Sequence, residues 1–118
     1  MNDEQASVHE ILDRIANRWT ALIVQSLASG TMRYSELRRE LGTVSHKMLA
    51  QTLRSLERDG IVSRKAYPVV PPRVEYSLTS LGESLVGPLV AICNWVKQHR
   101  SEVEAARARS SENGPDCH

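Results

Sequence analysis

A mainly α-helical domain carrying a small β-hairpin is predicted by three observations. Apolar residues recur at helical spacing in five separate stretches, two alternating segments face each other across a proline-rich loop, and glycines close the helical stretches in the middle of the chain. A length of 118 residues suits one domain with a modest core, which partnership would help to stabilise.

The first helical stretch, from about residue 7 to 16, places Val8, Ile11, Leu12 and Ile15 on one face. A second, from about Arg18 to Ala28, has Trp19, Leu22, Ile23, Val24 and Leu27 over a broad arc, which implies burial on more than one side. Trp19 is most simply a core anchor. Ser29 and Gly30 stop that helix. Tyr34, Leu37 and Leu41 then share a face of a short third helix that Gly42 closes.

Only Thr43 and Val44 separate it from Ser45 to Gly60, SHKMLAQTLRSLERDG. There Leu49, Leu53 and Leu56 make a stripe that must be buried, while Lys47, Gln51, Arg54 and Arg58 recur on the other side. Ser45 supplies an N-cap oxygen and Gly60 a left-handed C-cap. A short helix, a tight glycine turn and a longer helix with a cationic outer face form a helix-turn-helix signature, with Ser45 to Gly60 as the recognition helix.

Beyond Gly60 the helical period is lost. Ile61 to Tyr67 reads as a strand, and Pro68, Pro71 and Pro72 stiffen a loop. Val74, Tyr76 and Leu78 alternate with polar residues in a second strand. The pair is the wing of a winged helix-turn-helix. Thr79 can cap a last helix from about Ser80 to Ala106, in which Leu81, Leu85, Leu89, Ile92 and Val96 repeat and Gly87-Pro88 should introduce a kink. Its over-wide apolar face has nothing of its own to pack against, so a second copy of the chain is the expected cover, together with the first helix. The expected division is a single domain over 1–109 and a frayed polar tail over 110–118.

The net charge of +1 hides a segmental pattern. Residues 1 to 30 carry −2, residues 31 to 73 carry +5 and residues 74 to 118 carry −2. A basic field confined to the middle of the chain is the footprint of a surface that faces nucleic acid. Gln51 and Arg54 are the expected base readers, because an amide and a guanidinium make paired hydrogen bonds to base edges; Lys47 suits phosphate. Ser45 and His46, at the start of the same helix, are further DNA-binding candidates, with a solvated side chain the equal alternative for His46. Arg33, Arg38, Lys65 and Arg73 are phosphate or wing candidates, whereas Arg39 and Arg58 have Glu36 and Glu57 nearby as partners.

Other classes find no footing in the sequence. Cys93 and Cys117 show no C-x-x-C spacing, the four histidines have no metal-ligand spacing, and no phosphate loop or nucleophile elbow is present, so neither a cofactor nor an enzymatic site is expected. The polar, acidic start and the lack of a long apolar run point to a cytoplasmic protein with no membrane role. The rival reading is a winged-helix module that holds a partner protein without sequence-specific DNA binding; the +5 segment favours DNA, since an interaction surface has no need of that field.

The wording of the wing, Tyr67-Pro68-Val69-Val70-Pro71-Pro72-Arg73-Val74-Glu75-Tyr76, resembles the Tyr-Pro-x-x-Pro-Pro-Arg-Val-Glu-Tyr wing of the HxlR-type bacterial transcription regulators. Arg33 to Arg38 and Ser45 to Leu49 resemble the same family's helix-turn-helix, and the similarity runs over roughly residues 8 to 96. The resemblance implies a homodimer joined through its first and last helices, for which Val8, Ile11, Leu12, Leu85, Leu89, Ile92 and Val96 are the candidate interface residues. It also implies two recognition helices in successive major grooves and wings on flanking DNA. Where members often carry Gly-Gly-Lys-Trp this chain has Ala16-Asn17-Arg18-Trp19. Where many carry an N-terminal sensor cysteine it has Ala6, followed by Ser7, which leaves Cys93 as the candidate redox residue; a buried cysteine on an apolar helix face is more simply a small hydrophobe. The space among the first helix, the last helix and Trp19 is the candidate seat of a small-molecule effector, with a packed dimer core the simpler expectation.

Overall fold

The computed structural model describes residues 2–112, so Cys117, His118 and most of the expected tail lie outside the described residues. The order of elements is α1 (Asp3–Ile15), α2 (Arg18–Leu27), β1 (Met32–Arg33), α3 (Tyr34–Leu41), α4 (His46–Arg58), β2 (Val62–Tyr67), β3 (Arg73–Leu78) and α5 (Ser80–Glu112). Two compact units divide between Gly87 and Pro88.

In the first unit, α2 packs against α3, α4 and β3, and α4 packs against β2. The core is made by Ile23, Val24 and Leu27 of α2, Leu37 of α3, Leu49, Leu53 and Leu56 of α4, with Val44, Ile61, Val62 and Tyr76. The three leucines of α4 are essentially inaccessible, as the helical stripe requires. Among the described residues Thr20 is the buried polar side chain, and its hydroxyl donates to the Arg14 carbonyl at 3.0 Å.

Each helix boundary has a local cause. Asn2 and Gln5 form a reciprocal capping box that starts α1 four residues before the apolar period becomes visible. Asn17 Oδ1 accepts from the Trp19 amide at 2.8 Å, and Ser45 Oγ accepts from the Met48 amide at 3.0 Å. Gly42 (φ +73°) and Gly60 (φ +78°) take the left-handed backbone that ends α3 and α4. Thr79 Oγ1 accepts from the Gly82 amide at 3.0 Å to start α5. The same hydroxyl donates toward the Gly60 carbonyl at 2.5 Å.

The wing contains one strand more than a hairpin. β2 and β3 pair antiparallel from Val62 opposite Leu78 to Tyr67 opposite Arg73. Met32 and Arg33 add a third strand beside Tyr76 and Glu75, giving the order β1-β3-β2. Two residues are too few to show an alternation, which is why the pattern alone leads only from Gly30 into α3. In the second unit, the helix runs to Glu112, six residues beyond the expected Ala106 and into the segment expected to be a frayed tail. Pro88 is accommodated inside α5.

Candidate nucleic-acid interface

Because Leu49, Leu53 and Leu56 are drawn into the core, helical geometry turns Lys47, Gln51, Arg54 and Arg58 outward, and all four are exposed. Ser45 and His46, at the first turn, are exposed as well, although the Ser45 oxygen already caps the helix. Gln51 also borders a hollow between α4 and the α1–α2 turn that Arg14 and Asn17 share.

That turn is fastened to the far end of α4. Arg14 Nη1 donates to both carboxylate oxygens of Asp59, at 2.6 and 2.8 Å, and Nη2 donates to Glu10 Oε1 at 2.9 Å. The hydrogen bond and the charge of Asp59, with a smaller part from Glu10, hold the guanidinium pKa above its ordinary value. Asp59 is the C-cap residue of α4, so the clamp fixes the C-terminal end of the cationic helix relative to α1. Sequence reading missed it: 45 residues separate the partners, and no periodicity links them.

A second arrangement lies between the start of α4 and the wing. A concavity of about 810 Å³ is lined by Arg33, Tyr34, His46, Arg64, Val70 and Arg73, among others. Arg33, His46 and Arg73 are predicted site residues; Arg64 is not among them, and its place on β2, opposite Tyr76, brings it to the same face. Tyr34 Oη lies 2.6 Å from His46 Nδ1 and 3.3 Å from the His46 carbonyl oxygen. Desolvation raises the Tyr34 pKa above its ordinary value, a rise that the charge of Arg38 opposes. Arg38 is exposed on α3 and borders a neighbouring hollow with His46.

The wing cations divide. Arg73 is half-buried, with its guanidinium carbon 4.4 Å from the centre of the Tyr67 ring and Nε 3.5 Å from Glu75 Oε2 but without hydrogen-bond geometry. Lys65 is exposed, its ammonium 5.1 Å from the same ring. Lys65 is therefore the freer of the two predicted wing cations. Trp19, on α2, is half-buried beneath the guanidinium of Arg18 at 4.7 Å.

The candidate pairing residues fall into two sets. Val8, Ile11 and Leu12 of α1 are exposed, as are Ile92 and Val96 of α5, whereas Leu85 is half-covered and Leu89 is 4 % exposed in the single chain. Leu89 has little surface left to offer a second copy. Trp95, exposed and stacked on His99 at 4.6 Å, is a further exposed apolar residue on α5 beside the candidate interface residues. Cys93 is half-buried on the same helix. Among the described residues no group of three acidic, histidine or cysteine side chains could hold a metal, and no helix is long and apolar enough to cross a membrane.

Known proteins resemble this chain in sequence and in fold. The family model for the HxlR-like helix-turn-helix matches residues 14–104. The uncharacterized HTH-type transcriptional regulator YtfH of Escherichia coli K12 is 50 % identical over 104 residues, covering 88 % of this chain and 82 % of its own length. The solved structure of the ytfH protein from Salmonella typhimurium superposes with a TM-score of 0.79 at 48 % identity, over 86 % of this chain and 90 % of that one. The redox regulator HypR in its reduced form gives a TM-score of 0.76 at 36 % identity, over 84 % and 98 %. The chain belongs to the HxlR-like helix-turn-helix family of transcriptional regulators.

Proposed function

We propose that this protein binds operator DNA sequence-specifically as a homodimer, with one α4 per protomer in each of two successive major grooves and the β2–β3 wing along the flanking backbone. The observation that carries the reading is the outward stripe of Lys47, Gln51 and Arg54, held opposite the buried Leu49, Leu53 and Leu56. Gln51 and Arg54 read base edges, Lys47 and Arg38 meet phosphates, and Lys65 anchors the wing. Ser45 serves as the cap that presents the first turn. The exposed faces of α1 and α5 supply the pairing surface, since a small domain rarely leaves such residues in water without a partner.

The test is an anisotropy titration of the reduced protein against the DNA upstream of its own gene and a scrambled duplex, over a salt series. The reading predicts saturable preference for the native fragment, with a steep loss of affinity as salt rises. Equal, weak binding of both duplexes would put a protein-interaction module, or a regulator awaiting a small-molecule effector, in its place. Repeating the titration with oxidant examines Cys93: a redox role predicts an oxidant response in the wild type that Cys93→Ser abolishes.

A further inference from the structure

We infer that the concavity between α3, the start of α4 and the wing is the seat of one DNA backbone phosphate, which His46 contacts through Nε2 beside Arg33 and Arg64, and that Tyr34 is the positioning residue that orients His46. The inference rests on the DNA-binding reading and adds to it a defined subsite and a residue that acts through another.

The Tyr34 phenol has a single proton to donate. Tyr34 Oη is 2.6 Å from His46 Nδ1 and 3.3 Å from the His46 carbonyl oxygen; with the phenol's proton directed at Nδ1 the ring accepts there, whereas an Nδ1–H donating to Oη would send that proton to the carbonyl, and the NMR measurement below separates the two. A neutral imidazole whose Nδ1 accepts must carry its own proton on Nε2. Nε2 lies on the opposite side of the ring, and the ring belongs to an exposed residue in the first turn of α4. There it joins the positive dipole end of a 13-residue helix, where anions are favoured.

The partner's sign follows from the lining. Arg33 and Arg64 border the same concavity and Arg38 and Arg39 border the adjoining hollow, while neither is lined by a carboxylate. A volume of about 810 Å³ admits a phosphodiester with its flanking sugars, and the exposed Val69 and Val70 offer those sugars an apolar wall. Tyr34 is itself held in place from behind: β1 pairs with β3 immediately before it, and its ring lies 6.5 Å from that of Tyr76. The extra strand thus fixes a tyrosine, which fixes a histidine.

Two measurements on the intact protein test this. Long-range proton–nitrogen NMR of the free protein should show His46 as the Nε2–H tautomer, and Tyr34→Phe should shift the ring toward a mixture. A scan of the preferred duplex with one neutral methylphosphonate at a time should then reveal a phosphate whose replacement weakens the wild type roughly tenfold but His46→Ala far less, because a lost charge-assisted hydrogen bond is felt only where its donor is present. Tyr34→Phe should blunt the same signal, and His46→Gln, which restores an N–H donor, should recover part of it. An Nδ1–H tautomer in the wild type, or the same interference pattern in wild type and His46→Ala, would overturn the phosphate seat while leaving DNA binding intact. If no duplex binds saturably, the DNA reading fails and the phosphate seat fails with it.

Discussion

Gln51 and Arg54 stand one helical turn apart on the exposed side of α4, and their consequences for binding should differ from those of Lys47 and Lys65. If they read base edges as proposed, replacing either by Ala should cost roughly 1–3 kcal/mol at the preferred site and relax sequence preference there. Competition titrations check this: equal losses on preferred and random duplexes would remove the base-reading assignment. Tyr34 adds a pH effect at the same scale. Its pKa is raised by desolvation above the ordinary 10.0, so the fold favours the neutral phenol. That stabilising share is complete below pH 10 and is lost as pH rises through the folded-state value. Phenolate absorbance compared between wild type and Tyr34→Phe should show one tyrosine ionising late. The outward set of α4 was legible because a single helix carries both its buried and its exposed stripe within thirteen residues. The pairs Tyr34–His46 and Arg14–Asp59 were not, since their partners lie 12 and 45 residues apart and meet only through the packing of different elements.

At the scale of elements, the junction between the wing and α5 concentrates several requirements in a few atoms. Thr79 caps α5 and also donates to the carbonyls of Gly60 and Ile61, tying the end of α4 to the start of α5. Thr79→Ala should therefore destabilise the fold by at least the ~1 kcal/mol of an ordinary lost cap, read as a lower urea midpoint with an unchanged slope. Gly82, one turn on, is enclosed so closely by the Ile61 carbonyl and the Leu78 side chain that a Cβ would collide with backbone, and Gly82→Ala should cost about 1–3 kcal/mol in the same assay. Nothing in the sequence marks Gly82 as different from Gly87, which has open space around it. The cap at Thr79 was readable because its signal is local; the crowding at Gly82 depends on where Ile61 is brought. The wing makes a separate prediction. Lys65 is exposed and its ring partner leaves the ammonium accessible, so Lys65→Ala should weaken binding to all duplexes alike and lower the salt slope by about 1. Arg73, stacked on Tyr67 and close to Glu75, should contribute more to the stiffness of the wing than to the slope.

For the whole molecule, the segmental charge and the exposed apolar residues ask for different partners. The +5 of residues 31 to 73 belongs to the part of the chain that holds β1, α3, α4 and the wing, whereas the exposed apolar residues of α1 and α5 lie in segments of −2 each. On the proposed reading, the exposed apolar residues serve pairing and the basic segment serves DNA. The distribution was legible in sequence; which apolar residues remain uncovered was not, because Leu89 and Ile92 belong to the same helical repeat and differ only in packing. Leu89 is 4 % exposed and Ile92 is 59 % exposed. Ile92→Glu and Leu12→Glu should therefore leave the fold intact but yield a monomer by analytical ultracentrifugation, with thermal stability that no longer rises with protein concentration. Leu89→Glu should instead lower stability at every concentration, since it buries a charge inside the protomer. Should the Ile92→Glu protein remain a dimer, pairing would have to run through other residues, with Trp95 the next to test. A monomer that keeps its fold should bind a single half-site weakly and lose the tight binding of a two-half-site operator, because linking two helices makes the second contact intramolecular.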